Sequence, residues 1–324
     1  MLNYKGKPFV ELLGDIFTSR SRPTKKDAHG EVDEICLSYV SGCGRFGKPS
    51  FSEPWFLVLV KRGAPEKFHE RMNHEHMTVY TLANLKGGSG KTTSAVSIAE
   101  ALAQSGRDVL IVDLDPQGTL SRWVVSRSSS ATALLQGDTE EVSIETVDLE
   151  APGRIDVVPA DRSLAQMDDL RAAKLSKRLE GLWGASQGYD YGLIDPPPSV
   201  GALVLGALMA SDGTLSPVEA GPGAMDGLKD TLQLVNRTGT AGLRGAFACR
   251  VDVRTTLDTS VRDGLLDELG AAADGGRAFE THVREAVAMR EAQTARVPPG
   301  AYDSSMTAVA DYRDLTDELL TLDE

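Results

Sequence analysis

The chain has 324 residues, of which 41% are hydrophobic and 25% charged, and its formal net charge is −13. That length suits one large α/β domain, or a medium domain with an appendage, whose core needs no disulfide or structural metal. Three cysteines (Cys36, Cys43, Cys249) give no disulfide framework, no apolar run is long enough to span a membrane, and an acidic chain is not drawn to nucleic acid by its global field.

The expectation is therefore a soluble, cytoplasmic protein. No positively charged segment followed by an apolar core opens the sequence. Any DNA binding has to come from a local patch or from an assembled form.

Composition changes near Met77. Residues 1–76 carry 12 basic and 10 acidic groups, whereas the remainder carries 22 and 37. Seven of the 12 basic groups before Met77 are lysines, against five of 22 after it, and six of the eight phenylalanines lie before it. The first segment shows no sustained period, with one short apolar run, Trp55–Val60, that reads as a strand. Turn-rich stretches such as Ser41–Ser50 surround it. Cys36, Cys43, His69, His74 and His76 match no zinc spacing. Residues 1–76 read as an extension and residues 77–324 as the functional domain.

From Thr78 the pattern becomes regular. Thr78–Asn84 reads as a strand, Lys86–Lys91 as a glycine-rich loop, and Thr92–Gln104 as a helix that Gly106 stops. Asp108–Leu114 is a nearly all-apolar strand, as expected when both sheet faces are covered. Ile155–Ala160, Tyr191–Asp195, Thr214–Glu219 and Gly245–Val251 read as further strands. Helical stretches lie between them, notably Ser163–Leu182 and Val200–Ala210. This alternation predicts an α/β fold with a doubly wound, mostly parallel sheet and helices on both faces. Ligands of such sheets sit at the carboxyl ends of the strands.

Three motifs carry chemistry. The first is Lys86-Gly87-Gly88-Ser89-Gly90-Lys91-Thr92-Thr93, after a strand and at the start of a helix, the context a phosphate loop requires. Glycines let successive N–H groups curl around phosphate oxygens, and the helix N-terminus adds partial positive charge. Lys91 reaches the β- and γ-phosphates of ATP, and the Thr92 hydroxyl ligates Mg²⁺. The ordinary pattern has glycine where this chain has Leu85, and Lys86 follows it, as in the deviant Walker A form. The second motif places Asp113 and Asp115 at the end of a buried strand, where a nearby metal and an attacking water would justify two carboxylates. The third, Tyr191-Gly-Leu-Ile-Asp195, followed by three prolines, is a Walker B pattern whose carboxylate would hold Mg²⁺ through water. Alone, the second and third read better as a strand followed by a polar turn. Their joint occurrence, in order and on three strand ends, decides the reading.

At this point the chain resembles the ParA-type partition ATPases, from about Met77 onward. Gly201–Ala220 is similar to that family's helix–strand segment after Walker B, and Met289–Ala292 and Tyr312–Leu319 to its C-terminal blocks. The resemblance implies that Lys86 is the signature lysine that reaches a partner's nucleotide across an ATP-dependent homodimer. It implies that Asp115 positions the hydrolytic water, that Asp113 lies in the metal's outer shell, and that Asp195 is the Walker B aspartate. It further implies a nucleoid-associated ATPase that binds DNA non-specifically and segregates plasmids or chromosomes with a ParB-like DNA-binding partner. Arg254 falls where the family carries a DNA-contacting arginine. A second such position falls on Ala288, with Arg284 and Arg290 close by. Scattered arginines are equally a solvated surface with rim ion pairs.

Other functions compete. Membrane-associated relatives end in a basic amphipathic helix, whereas Asp311–Glu324 is acidic, so no membrane is expected. The nitrogenase iron protein needs two cluster cysteines in the body, and only Cys249 is present. A P-loop small-molecule enzyme of the dethiobiotin synthetase type is the alternative, and DNA stimulation of ATP hydrolysis discriminates the two.

Overall fold

Short runs rich in valine, leucine and isoleucine from Thr78 onward pair into a seven-stranded sheet. In chain order the strands are β1 (Thr78–Leu82), β2 (Val109–Asp113), β3 (Glu145–Thr146), β4 (Ile155–Val158), β5 (Tyr191–Asp195), β6 (Gly213–Glu219) and β7 (Leu243–Cys249). Their spatial order is β3-β4-β2-β5-β1-β6-β7. Every neighbouring pair is parallel except β3 with β4. Both β2 and β5 are buried at every position, as continuous apolar strands require when helices cover both faces. This computed structural model describes residues 35–36, 60–61, 77–125, 131–137, 142–238, 242–270 and 277–323.

The helices are α1 (Lys91–Gln104), α2 (Thr119–Val124), α3 (Ala131–Gln136), α4 (Ala172–Ala185), α5 (Ala202–Met209), α6 (Ala224–Thr238), α7 (Thr256–Gly270), α8 (Ala288–Ala295), α9 (Pro299–Tyr302) and α10 (Thr307–Asp323). Side chains alternate along β1, so Tyr80 and Leu82 join one core and Val79 the other. The first core lies under α1 and α10, the second under α3, α4 and α5. Leu228 of α6 and Val261 and Leu265 of α7 form a third cluster with Val218, Ala246 and Ala248 of β6 and β7.

Helix α1 is almost wholly buried, and its alanines and serines let it fit between the sheet and α10. Its Glu100 accepts from Gly300 N (2.8 Å) and Ala301 N (3.0 Å), which seats α9. Ser94 Oγ and Tyr312 OH lie 2.9 Å apart and tie α1 to α10. At the far end of α10, Asp323 accepts from Tyr80 OH at 2.5 Å and Tyr191 OH at 3.1 Å and pairs with Arg244 at 2.9 Å.

Two features differ from the sequence expectation. The stretch Ser163–Leu182 is not one helix. A 3-10 helix, Arg162–Asp169, begins where Asp161 accepts from Ser163 N, and the chain turns extended at Leu170 and Arg171 before α4 starts. The break frees Asp168 to accept from Leu203 N at 3.1 Å, near the start of α5. Strand β3 was not expected, because two residues leave no readable period.

The chain divides into two compact units, Met1–Asn73 and His74–Glu324. The described part of the first is an antiparallel pair, Ile35–Cys36 with Val60–Lys61. Most of the Trp55–Val60 run, and the side chains of Cys36, Cys43, His69, His74 and His76, lie outside the described residues.

Candidate functional site

The carboxyl ends of β1, β2, β5 and β6 gather the three motifs at one edge of the sheet. Residues Lys86–Gly90 form the loop from β1 into α1. Gly88 (φ 78°) and Gly90 (φ 90°) adopt left-handed backbone, which side chains disfavour. A methyl carbon added at Gly87 or Gly88 would meet nothing within 4 Å, so the space over the loop is open. Helix α1 begins with no side-chain cap and no acidic residue in its first turn, which contains Thr92 and Thr93. Its first N–H groups and positive dipole end therefore face the loop unneutralised, the arrangement that receives an anion.

Beside the loop, Thr92 Oγ1 donates to Asp195 Oδ2 at 2.7 Å. The other carboxylate oxygen, Asp195 Oδ1, is buried and has no hydrogen-bond partner. Burial, and then the neighbouring Asp113, push the Asp195 carboxyl well above the usual range, against the opposing pull of Thr92 and Lys91. A hydroxyl next to an orphaned, desolvated carboxylate oxygen is a hard-oxygen donor set that fits a divalent cation. Lys91 Nζ donates to the Asn84 carbonyl at 3.1 Å. Burial lowers the Lys91 pKa, and Asp195 and Asp115 work in the opposite direction.

Asp113 and Asp115 differ in environment. Asp113 is the cross-strand neighbour of Asp195 and is fully buried. Its Oδ1 accepts from Asp115 N (3.1 Å), and its Oδ2 accepts from Ser121 N (2.9 Å) and Ser121 Oγ (2.6 Å). These bonds fix the turn that leads into α2. Asp115 lies at the mouth of the site, where its Oδ1 accepts only from Gln117 N among the described contacts (2.9 Å). Among the described residues, its second carboxylate oxygen accepts no hydrogen bond.

Lys86 lies at the loop's entrance. Its Nζ donates to the Pro222 carbonyl at 3.3 Å and stands 3.7 Å from Glu219 Oε2. Glu219 also pairs with Arg250. Sequence reasoning missed two residues here. Asn84, directly before the loop, bonds through its side chain to Lys86 N and the Pro217 carbonyl, and its place beside the motif was a usable signal. Cys249, at the end of β7, donates from Sγ to the Ser89 carbonyl at 3.2 Å, and burial pushes its thiol up to about 12. No sequence signal links it to a loop 160 residues away.

The three arginines do not join this site. Arg254 is highly exposed and pairs with Asp252 at 2.7 Å. Arg290 is exposed and stands 3.5 Å from Glu285. Arg284 differs, because its Nε and Nη2 both bond to Asp311, which is nearly buried.

Known proteins similar to this chain show its family. A family profile described as an AAA domain matches residues 77–244. The chain is 30% identical over 265 residues to the chromosome partitioning protein ParA of Caulobacter vibrioides, covering 77% of this chain and 96% of that protein. It is 33% identical over 254 residues to the chromosome-partitioning ATPase Soj of Thermus thermophilus, covering 74% and 94%. A crystal structure of cobyrinic acid a,c-diamide synthase from Mycobacterium smegmatis, with bound ADP and magnesium, matches with a TM-score of 0.61 at 28% identity, over 75% of this chain and 94% of that one.

Proposed function

This chain belongs to the ParA-type family of partition ATPases, and on that premise we propose that it hydrolyses ATP at the Lys86–Thr93 loop and uses the cycle to position DNA. The observation that carries the reading is the Thr92–Asp195 pair with its orphaned carboxylate oxygen, beside an open loop that keeps both lysines. Thr92 and Asp195 would hold Mg²⁺. The ion would supply charge neutralisation at the transferring phosphoryl group. The loop's N–H groups and Lys91 orient the phosphates, and Asp115, with a free oxygen at the mouth, orients the attacking water. Asp113 keeps the Asp115 turn in place from the outer shell.

ATP brings two copies together, and each Lys86 neutralises charge on the partner's nucleotide. The dimer binds DNA without sequence preference through Arg254 and Arg290, and a ParB-like partner accelerates hydrolysis. Doubling a small patch matters because counterion release makes affinity depend steeply on the number of phosphates neutralised. The test is light scattering and DNA binding with ATP and with ADP, on wild type and Lys86→Ala. An ATP-specific dimer that binds DNA and is lost in Lys86→Ala is expected. Equal DNA binding in ADP and ATP would overturn this reading. The similarity to the cobyrinic acid a,c-diamide synthase supports a second reading, a small-molecule P-loop enzyme, for which DNA leaves turnover unchanged.

A further inference from the structure

Four contacts hold the segment around Lys86: two from helix α6, which belongs to none of the three motifs, one from β6, and one within the segment. Leu85 N donates to Thr231 Oγ1 of α6 at 3.1 Å. Lys86 N donates to Asn84 Oδ1 at 2.9 Å, and Asn84 Nδ2 donates to the Pro217 carbonyl of β6 at 2.9 Å. Both N–H groups before the glycines are therefore held by side chains rather than by a sheet ladder. The fourth contact is steric. A methyl carbon added at Gly227 of α6 would lie 3.1 Å from Lys86 Cβ and 3.2 Å from Asn84 Oδ1. Carbon atoms prefer about 3.5–4.0 Å, so an added methyl would push this segment away by a few tenths of an ångström. Thr231 itself is fixed, since its hydroxyl donates to the Gly227 carbonyl at 2.7 Å.

We propose that helix α6 is the positioning element for Lys86, with Gly227 and Thr231 as its points of contact. Thr231 holds the backbone of Leu85. The bare Cα of Gly227 leaves room for the first carbons of the Lys86 side chain. The lysine stem then leaves the loop along one path, toward Pro222 and Glu219. The inference rests on the proposed role of Lys86 in ATP turnover. A glycine inside a helix loses backbone entropy, so its presence at 227 needs a local reason, and this contact supplies one.

The test uses the full chain and four variants: Gly227→Ala, Thr231→Val, Thr231→Ser and Lys86→Ala. The first readout needs no nucleotide. Acylation of the Lys86 amine by an N-hydroxysuccinimide ester, followed by peptide mass spectrometry, should rise roughly threefold in Gly227→Ala and Thr231→Val as the segment opens. The second is kinetic. In both variants kcat should fall about tenfold with KM for ATP unchanged, because Lys91 and Thr92 are not displaced. Thr231→Ser keeps the hydroxyl and should restore wild-type values. Alanine favours helix, which offsets much of the crowding, so Gly227→Ala should stay folded, and it carries the test alone if Thr231→Val fails to fold. Wild-type labelling and kcat in Gly227→Ala, with turnover lost in Lys86→Ala, would overturn the positioning role and leave the proposed function standing. Normal turnover by Lys86→Ala would instead remove the proposed role of that lysine, and the labelling would then decide the positioning by itself.

Discussion

Asp113 and Asp115 sit two residues apart and are asked for opposite things. Asp113 is surrounded by three donors and no solvent, and Asp115 keeps an oxygen at the mouth. Asp115→Ala is therefore expected to bind nucleotide normally and to lose about a hundredfold in turnover, read by a coupled ATPase assay and a fluorescent nucleotide. Asp113→Asn should lose about 2–4 kcal/mol of stability in urea unfolding, because an amide turns one acceptor into a donor that faces donors. Equal turnover by Asp115→Ala and wild type would remove its assignment. At this scale the phosphate loop was legible because its eight residues are contiguous and each has a local duty. Gly227 and Thr231 were not, since they meet Lys86 and Leu85 only after the chain has completed β5 and β6. Nor did the sequence separate the three arginines, because a guanidinium's partner is a matter of folding: Asp311 claims Arg284 from 27 residues away.

Between elements, α1 is the helix on which the others depend, and Glu100 is its one buried acid. Burial raises the Glu100 pKa, and the two backbone bonds from Gly300 and Ala301 only partly oppose this. A carboxyl whose folded pKa is raised binds protons more readily in the folded state, so its contribution to stability falls as pH climbs from the ordinary carboxylate range through the raised value. Glu100→Gln should flatten that part of the stability–pH curve, measured by urea unfolding across a pH series. An unchanged slope would mean that another group sets it. Strand and helix order was legible because apolar runs alternate with amphipathic ones at regular spacing. The break at Leu170–Arg171 was not, because it serves a distant end: Asp168 reaches Leu203 N, and a methyl carbon at Gly201 would lie 2.2 Å from that carboxylate.

At the scale of the whole molecule, the division of charge and core carries three predictions. Among the described residues, the cores of the sheet are built from residues from Met77 onward. We expect residues 77–324 alone to fold and hydrolyse ATP at the full-chain rate, checked by circular dichroism and an ATPase assay. An insoluble or inactive fragment would give the first segment a structural duty. On the proposed DNA surface, Arg254→Ala and Arg290→Ala should each weaken binding evenly across sequences and reduce the slope of log affinity against log salt by about one, with basal turnover unchanged. Arg284→Ala should lower the melting temperature instead, since it removes the guanidinium that pairs with Asp311 and leaves only the backbone N–H bond. If neither exposed arginine alters the slope, the DNA surface lies elsewhere.

The position of β1 also bears on how the protein is born. This strand emerges first of the seven, yet it lies between β5 and β6, whose residues follow it by more than a hundred positions. On the ribosome, the phosphate loop and α1 must wait for Tyr191–Asp195 before β1 gains its first neighbour, and for Gly213–Glu219 before it gains its second. Asp323 then fastens Tyr80 and Tyr191 last of all. At about 5–20 residues per second, the half-made nucleotide site stays open for roughly 5–30 seconds, with the apolar faces of β1 and α1 still uncovered.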